Sequence, residues 1–188
     1  TIFTATARAK NPSAITKVSG DAQAAPAATA LALPLVVRVS DDSGRPMPGI
    51  SITWAVLTGG GAVTPSTVIS DSLGLASATL TLGSALGANT VMASASPNIQ
   101  TTFTATATVG TATTLAKTAG DAQTAAASTA LPIKPAVTLT DSRGNPIADV
   151  PVTFAVTSGG GNVTGAVDTT NALGIATVGT WTLGASGT

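Results

Sequence analysis

Cysteine, histidine, glutamate and tyrosine are all missing from this 188-residue chain. Without cysteine there are no disulfides and no thiolate metal sites, although this does not identify a compartment. The common bases and nucleophiles of catalysis reduce to Asp, Lys, Ser and Thr. No G-x-S-x-G-type arrangement gathers them, so an enzyme is not expected and no cofactor is implied. Charge is scarce, at 9% of residues, and balanced, eight basic against eight acidic. Such a balance offers no basic face to nucleic acid or to an anionic membrane. No uninterrupted apolar run reaches the roughly 18 residues of a membrane span, so membrane insertion is not expected either. The lack of Glu and shortage of Lys beside abundant Thr, Ala, Val and Gly argue against helices. High hydrophobicity with little charge argues equally against disorder.

What is present is a long internal repeat. Val37–Val63, "VRVSDDSGRPMPGISITWAVLTGGGAV", returns one hundred positions later as Val137–Val163, "VTLTDSRGNPIADVPVTFAVTSGGGNV", without a gap. Asp41 matches Asp141, Gly44 matches Gly144, Pro46 matches Pro146, and Trp54 matches Phe154. The segment reads as strand, turn, strand and glycine corner. Leu35, Val37 and Val39 alternate with polar or smaller neighbours, and Ile50, Ile52, Trp54 and Val56 share one face at period two. Ala76, Ala78, Leu80 and Leu82 form another inward face, followed by Val91, Ala93 and Ala95, and then by Phe103, Ala105 and Ala107. Seven or eight short strands with regular turn punctuation predict a two-sheet sandwich.

Thr1–Ala9, "TIFTATARA", matches Thr101–Val109, "TTFTATATV", at the same offset. In the later copy this is the last strand of repeat 1, so residues 1–9 read as the last strand of a preceding or neighbouring domain. Domain 1 is then expected over 10–109 and domain 2 over 110–188, with so short a connection between them that a semi-stiff rod follows. The chain starts at Thr1 without a signal-like segment, which reads as a piece of a longer or processed protein.

Repeat 2 departs from repeat 1 at one place. "GLASATLTLG" (Gly74–Gly83) becomes "GIATVGTWTLG" (Gly174–Gly184), one residue longer. One extra residue turns the remainder of a strand inside out unless a β-bulge absorbs it. A bulge near Gly179-Thr180 is therefore predicted, keeping Trp181 and Leu183 inward and pairing Phe154 with Trp181 where repeat 1 pairs Trp54 with Leu80. Counterparts of Ala88–Ala95 and Thr101–Ala107 do not occur within the 188 residues, so repeat 2 is expected to lack its last two strands here.

The turn "DSGRPMPG", followed in order by "ISITWAV", "GGG", "SDSLGLASATLTLG" and a closing "FTATA", resembles the bacterial Ig-like repeats of the Big-1 (invasin/intimin-type) group. The resemblance covers essentially the whole chain. It implies Ig-like β-sandwich domains arranged end to end, on an extracellular or cell-surface bacterial protein, with no catalytic residues.

Calcium is the sharper site hypothesis. Asp41, Asp42, Ser43 and Asp71 could meet across one sandwich end, with Asp141 and Asp168 in repeat 2, because Ca²⁺ takes several hard oxygens. The plainer reading is that Asp is a turn residue that bonds its own backbone. The Asp42 position also becomes Ser142, and the expectation is no resident metal. Gly20-Asp21 and Gly120-Asp121 read as turns at the domain junction. Asn162-Val163-Thr164 fits the N-x-[ST] glycosylation pattern, and the Thr-rich outward faces could take O-linked sugar, so a glycan partner stays open. Trp54 and Trp181 read as core.

Two functions follow. One is a structural unit of an extracellular bacterial fibre, filament or stalk, acting as a spacer. Its partners are neighbouring Ig-like domains of the chain or identical subunits, and Phe3, Ala5 and Ala7 of residues 1–7 serve as strand-donation contacts. The other is an adhesin module that holds a receptor or glycan through its sandwich-end loops.

Overall fold

A computed structural model describes residues 11–95 and 98–185, and every regular element among them is a β-strand. The chain divides into two compact units, the second starting at Val109. In the first unit the strands are β1 (Ala14–Ser19), β2 (Gln23–Pro26), β3 (Leu35–Ser40), β4 (Ser51–Thr58), β5 (Ala62–Thr64), β6 (Thr67–Ile69), β7 (Leu75–Thr81), β8 (Gly87–Ala95) and β9 (Ile99–Thr108). They form a four-stranded sheet, β1-β3-β7-β5, and a five-stranded sheet, β2-β9-β8-β4-β6. Neighbours pair antiparallel, except that β2 runs parallel to β9.

The alternation read from the sequence sets the core between the sheets. Leu35, Val37, Val39, Ile52, Trp54, Leu80, Val91 and Phe103 are buried, with Ala76, Ala78, Ala93, Ala105 and Ala107 between them. Burying each large apolar side chain contributes about 1.5–3 kcal/mol. The Trp54 and Phe103 rings lie 5.7 Å apart between centroids, tilted by 44°, an aromatic pairing that adds about 0.5–1.5 kcal/mol. The glycine corner is a close approach of two chains. A Cβ on Gly83 would stand 1.7 Å from the Gly59 carbonyl oxygen, which no side chain can do.

The second unit repeats this plan in part. Its strands are β10 (Ala112–Ala119), β11 (Ala136–Asp141), β12 (Pro151–Thr153), β13 (Asn162–Thr164), β14 (Val167–Thr169), β15 (Ile175–Thr177) and β16 (Thr180–Thr182). They pair as β10-β11-β15, β12-β14 and β13-β16. β12 is three residues long where its counterpart β4 has eight. The reason lies in the partners: β4 is held by β6 on one side and β8 on the other, whereas β12 pairs with β14 alone. With no counterpart of β8 or β9 among the described residues, Val152, Phe154, Val156, Trp181 and Leu183 remain only half-buried.

The one-residue insertion is absorbed as a bulge. In the first unit β5 pairs Thr64 with Thr79, and in the second β13 pairs Thr164 with Thr180. Gly179 is the added residue, and its N–H donates to the Thr164 carbonyl at 2.9 Å beside that pair. Val178 just before it donates to Pro135 at 3.0 Å and is buried. Two residues thus face one across the ladder, and Trp181 returns to the inward position of Leu80.

Candidate functional site

The turn at Gly20-Asp21, suggested by the sequence as a junction turn, has a role within the first unit. It carries the chain from β1 in one sheet to β2 in the other and sets Asp21 against the middle of β9. Gly20 and Ala22 adopt left-handed backbone conformations, φ +87° and +56°. Gln23 fixes them: its amide donates to the carbonyls of Gly20 and Leu33 at 2.7 and 2.9 Å and accepts the Leu33 N–H at 2.9 Å.

Thr104 of β9 is read three ways by this turn. Its N–H and hydroxyl donate to Asp21 Oδ1 at 2.8 and 3.3 Å, and its carbonyl accepts the Ala22 N–H at 2.8 Å. Lys17 pairs with Asp21 Oδ2, donates to the Thr102 carbonyl at 3.2 Å, and lies 5.8 Å from the Phe103 ring centroid. Burial alone would raise the Asp21 carboxyl pKa. The Lys17 ammonium and the Thr104 and Ala22 N–H groups outweigh it and hold the group below its ordinary value.

The second unit carries the same turn. Gly120 and Ala122 have φ +75° and +53°. Gln123 makes the same three bonds, to Gly120 and Ile133, at 2.7 to 2.9 Å. Lys117 pairs with Asp121, and that bond and charge, with the Ala122 N–H, hold the Asp121 carboxyl low. What differs is the cover. Side-chain exposure of the Lys–Asp pair rises from 37% and 32% in the first unit to 70% and 59% in the second. No strand among the described residues stands against residues 121–126. Leu115 is 54% exposed where Ile15 is 7%. A cleft of about 210 Å³ opens between the turn and the uncovered core, lined by Lys117, Asp121, Pro135, Phe154 and Trp181 among others. The first unit holds Phe103 between the counterparts Lys17 and Trp54.

Four of the five calcium candidates, Asp41, Asp71, Asp141 and Asp168, accept backbone N–H groups. Asp41 Oδ1 accepts the N–H groups of Ser43 and Arg45 at 2.8 and 2.9 Å, and Asp71 Oδ1 those of Leu73 and Leu75 at 2.8 and 2.9 Å. Asp141 accepts from Gly110, Arg143 and Asn145, and Asp168 accepts the Thr177 N–H at 2.7 Å, tying β14 to β15. Asp42 is exposed and meets the Ser43 hydroxyl at 3.3 Å. Among the described residues no three acidic side chains gather in a group able to hold a metal ion. Asn162 of the glycosylation pattern is exposed on β13. Phe3, Ala5 and Ala7 lie outside the described residues. Sequence reasoning missed the Lys–Asp–Gln turn as a contact device. Its signal was present, because Lys17, Asp21 and Gln23 recur at Lys117, Asp121 and Gln123.

The sequence profile of the bacterial Ig-like domain (group 1) family matches residues 15–110, from within β1 to just beyond β9. This chain belongs to that family. This bacterial Ig-like (group 1) chain is similar to several solved structures. Against the Escherichia coli adhesin FdeC the TM-score is 0.56 at 22% identity, over 93% of this chain and 57% of that one. Against the D0-D1 domain of intimin it is 0.39 at 18% identity, over 93% and 85%. Against the Yersinia pseudotuberculosis adhesin InvE it is 0.46 at 19% identity, over 92% and 53%. The bacterial Ig-like chain thus spans little more than half the length of the two adhesins. Comparison with curated protein sequences finds no match.

Proposed function

We propose that this chain is a structural repeat unit of an extracellular bacterial fibre, filament or surface stalk. It acts as a spacer, performs no reaction, and joins a neighbouring copy by donating the strand Thr1–Ala7. One observation carries this reading. Residues 3–7, Phe3-Thr4-Ala5-Thr6-Ala7, repeat in sequence the strand Phe103–Ala107, which lies between β2 and β8 in the first unit, and among the described residues the second unit has no strand at that place. An exposed strand edge pairs readily with an added strand, whose alternate side chains fill the core beneath. Donation from one copy to the next does not close on itself and yields filaments.

Family membership supports an extracellular, cell-surface setting, as do fold relatives that include adhesins and a surface-layer protein. The deciding experiment is the mass of the denatured chain from its native source, with electron micrographs of the undenatured sample. A mass near 18.0 kDa together with long fibres would support strand donation. A mass many times larger would overturn strand donation and leave a single covalent array.

A second reading, an adhesin module holding a receptor or glycan, draws on a trough of about 400 Å³ on the outer face of the five-stranded sheet. Ser51, Thr53, Met92, Ser94 and Gln100 line it. Glycan-array binding that is lost on filling the trough with Ser94→Trp would favour this reading.

A further inference from the structure

The outer face of the four-stranded sheet in the first unit carries two charges for which the fold has no use. Arg38 stands in the middle of β3 and is exposed. Asp71 opens the turn into β7 and is exposed as well. Neither takes part in an ion pair, with the other or with any described residue. We infer that this face docks a second copy of the chain about a twofold axis, Arg38 of each copy meeting Asp71 of the other.

The two residues flank a common neighbour. Leu75 is the cross-strand partner of Arg38, and its N–H donates to Asp71 Oδ1 at 2.9 Å. Strand alternation sends Arg38 and Leu75 to the side opposite the buried Val37 and Ala76. A hollow of about 250 Å³ lies on that side, lined by Pro34, Val36, Asp71, Leu75 and Ser77 among others. An arginine from a second copy can lay its aliphatic stem on Val36 and Leu75 and set its guanidinium at Asp71. The acceptor is open. Asp71 Oδ1 holds the N–H groups of Leu73 and Leu75, and Oδ2 accepts no bond among the described residues.

The placing of the charges selects a copy of the same face as the occupant. In a twofold contact, residue i meets j and j meets i. A cation and a carboxylate on either side of Leu75 satisfy each other under that rotation, giving two identical Arg–Asp pairs about a Leu75–Leu75 centre. A purely acidic or purely basic partner leaves one of the two unmatched.

The second unit supplies the contrast. Thr138 and Asn171 stand at these two places, so both charges are lost together. Its turn makes the same two bonds with Asn171, so the charge of Asp71 is not what the turn requires. The Thr138 hydroxyl is bonded within the sheet, to that of Thr118. The inward neighbours Val37 and Ala76 persist as Val137 and Ala176. What changes between the copies is thus the outward pair, while the core beneath it is kept. The contact joins chains side by side through their first units and does not depend on strand donation. Copies held along a fibre or over a cell surface engage many such contacts at once, which multiplies a weak one.

The test uses the full chain, which contains no native cysteine to interfere. Leu75→Cys sets a thiol at the twofold axis, and Thr106→Cys sets a more exposed one on the other sheet. Under mild oxidation Leu75→Cys should give disulfide-linked dimers at least about tenfold faster than Thr106→Cys. Adding Arg38→Thr or Asp71→Asn, the second unit's own residues, should slow that linking about tenfold. Both together should slow it no more than about either alone, because one change already breaks both pairs. Raising salt from about 0.05 to about 0.5 M should slow the parent and leave the double variant unaffected. Linking unchanged by both substitutions overturns the Arg–Asp contact. Leu75→Cys no faster than Thr106→Cys overturns docking through this face. Slowing by only one of the two substitutions overturns its twofold form.

Discussion

Asp141 and Gly110 are joined by a hydrogen bond of 2.9 Å, the carboxylate of the one accepting the backbone N–H of the other. In sequence, only Val109 separates Gly110 from the end of β9. The Asp141 carboxyl is buried and held well below the usual carboxylate range, first by the Asn145 side-chain amide and then by the N–H groups of Gly110, Arg143 and Asn145. A depressed folded-state pKa gives stability that is complete above the unfolded value of 3.8 and lost as pH falls below it toward the folded value. The protection factor of the Gly110 N–H, its exchange rate relative to the unstructured peptide at the same pH, should therefore fall in acid, over the range below about pH 4. Asp141→Asn should lower that protection factor at neutral pH and flatten its acid dependence; an unchanged Gly110 protection factor would count against the clamp.

Asp71 has a natural control in the same chain. Asn171 stands at its position in the second unit and accepts the N–H groups of Leu173 and Ile175 at 2.9 and 3.1 Å, as Asp71 does those of Leu73 and Leu75. The turn needs an oxygen there and not a charge. Asp71→Asn should leave stability within about 0.5 kcal/mol, and Asp71→Ala should cost about 1–2 kcal/mol in urea unfolding. The thermal midpoint should be the same in calcium and in chelator; a rise with calcium would restore the metal reading.

Trp54 is buried, and its indole N–H has no hydrogen-bond partner. Removing an unpaired buried donor recovers part of its desolvation cost, about 1–3 kcal/mol. Trp54→Phe, which copies Phe154, should therefore cost less than about 2 kcal/mol, whereas Trp54→Ala should cost about 3–5 kcal/mol through the cavity left. Equal losses for the two variants in urea unfolding would show that the N–H is satisfied in solution.

Gly179 has no room for a side chain, since a Cβ there would lie 2.7 Å from the Thr164 carbonyl oxygen. Gly179→Val should destabilise the second unit by about 1–3 kcal/mol. Deleting Gly179 restores the strand length of the first unit and should cost less, with Trp181 still facing inward. Trp181 fluorescence during unfolding reads both; a deletion more harmful than the substitution would contradict the bulge.

Much of this fold was legible because the chain states it twice. Alternation gave the inward set of the first unit, from Leu35 to Ala107, and the one-residue length difference located the bulge at Gly179. Periodicity has no term for which sheet a short Ala-rich strand joins, so the parallel pairing of β2 with β9 was not visible. The role of Asp21 was hidden for the same reason: its partner Thr104 lies 83 positions away. A turn residue bonded to its own loop and one bonded to a distant strand look alike in sequence, and only the recurrence of Lys17, Asp21 and Gln23 hinted at the difference. Asp41 and Asp71, proposed for calcium, show the converse, carboxylates whose neighbours in sequence already occupy them.

The parallel register of β2 and β9 has a consequence for a chain under tension. The chain enters the first unit through β1, turns at Gly20-Asp21 into β2 and leaves at the end of β9, so once β1 has yielded, a pull on both ends drives β2 and β9 along their length in opposite directions. The bonds from Ala22 to Thr104 and from Ala27 to Thr108, and those between them, are then loaded together in shear, whereas an antiparallel hairpin pulled at its open end parts one rung at a time. Asp21, locked onto Thr104 in the middle of that seam, adds a catch against sliding. With β1 gone, the force falls on β2 and on β9, the strand from which the chain departs.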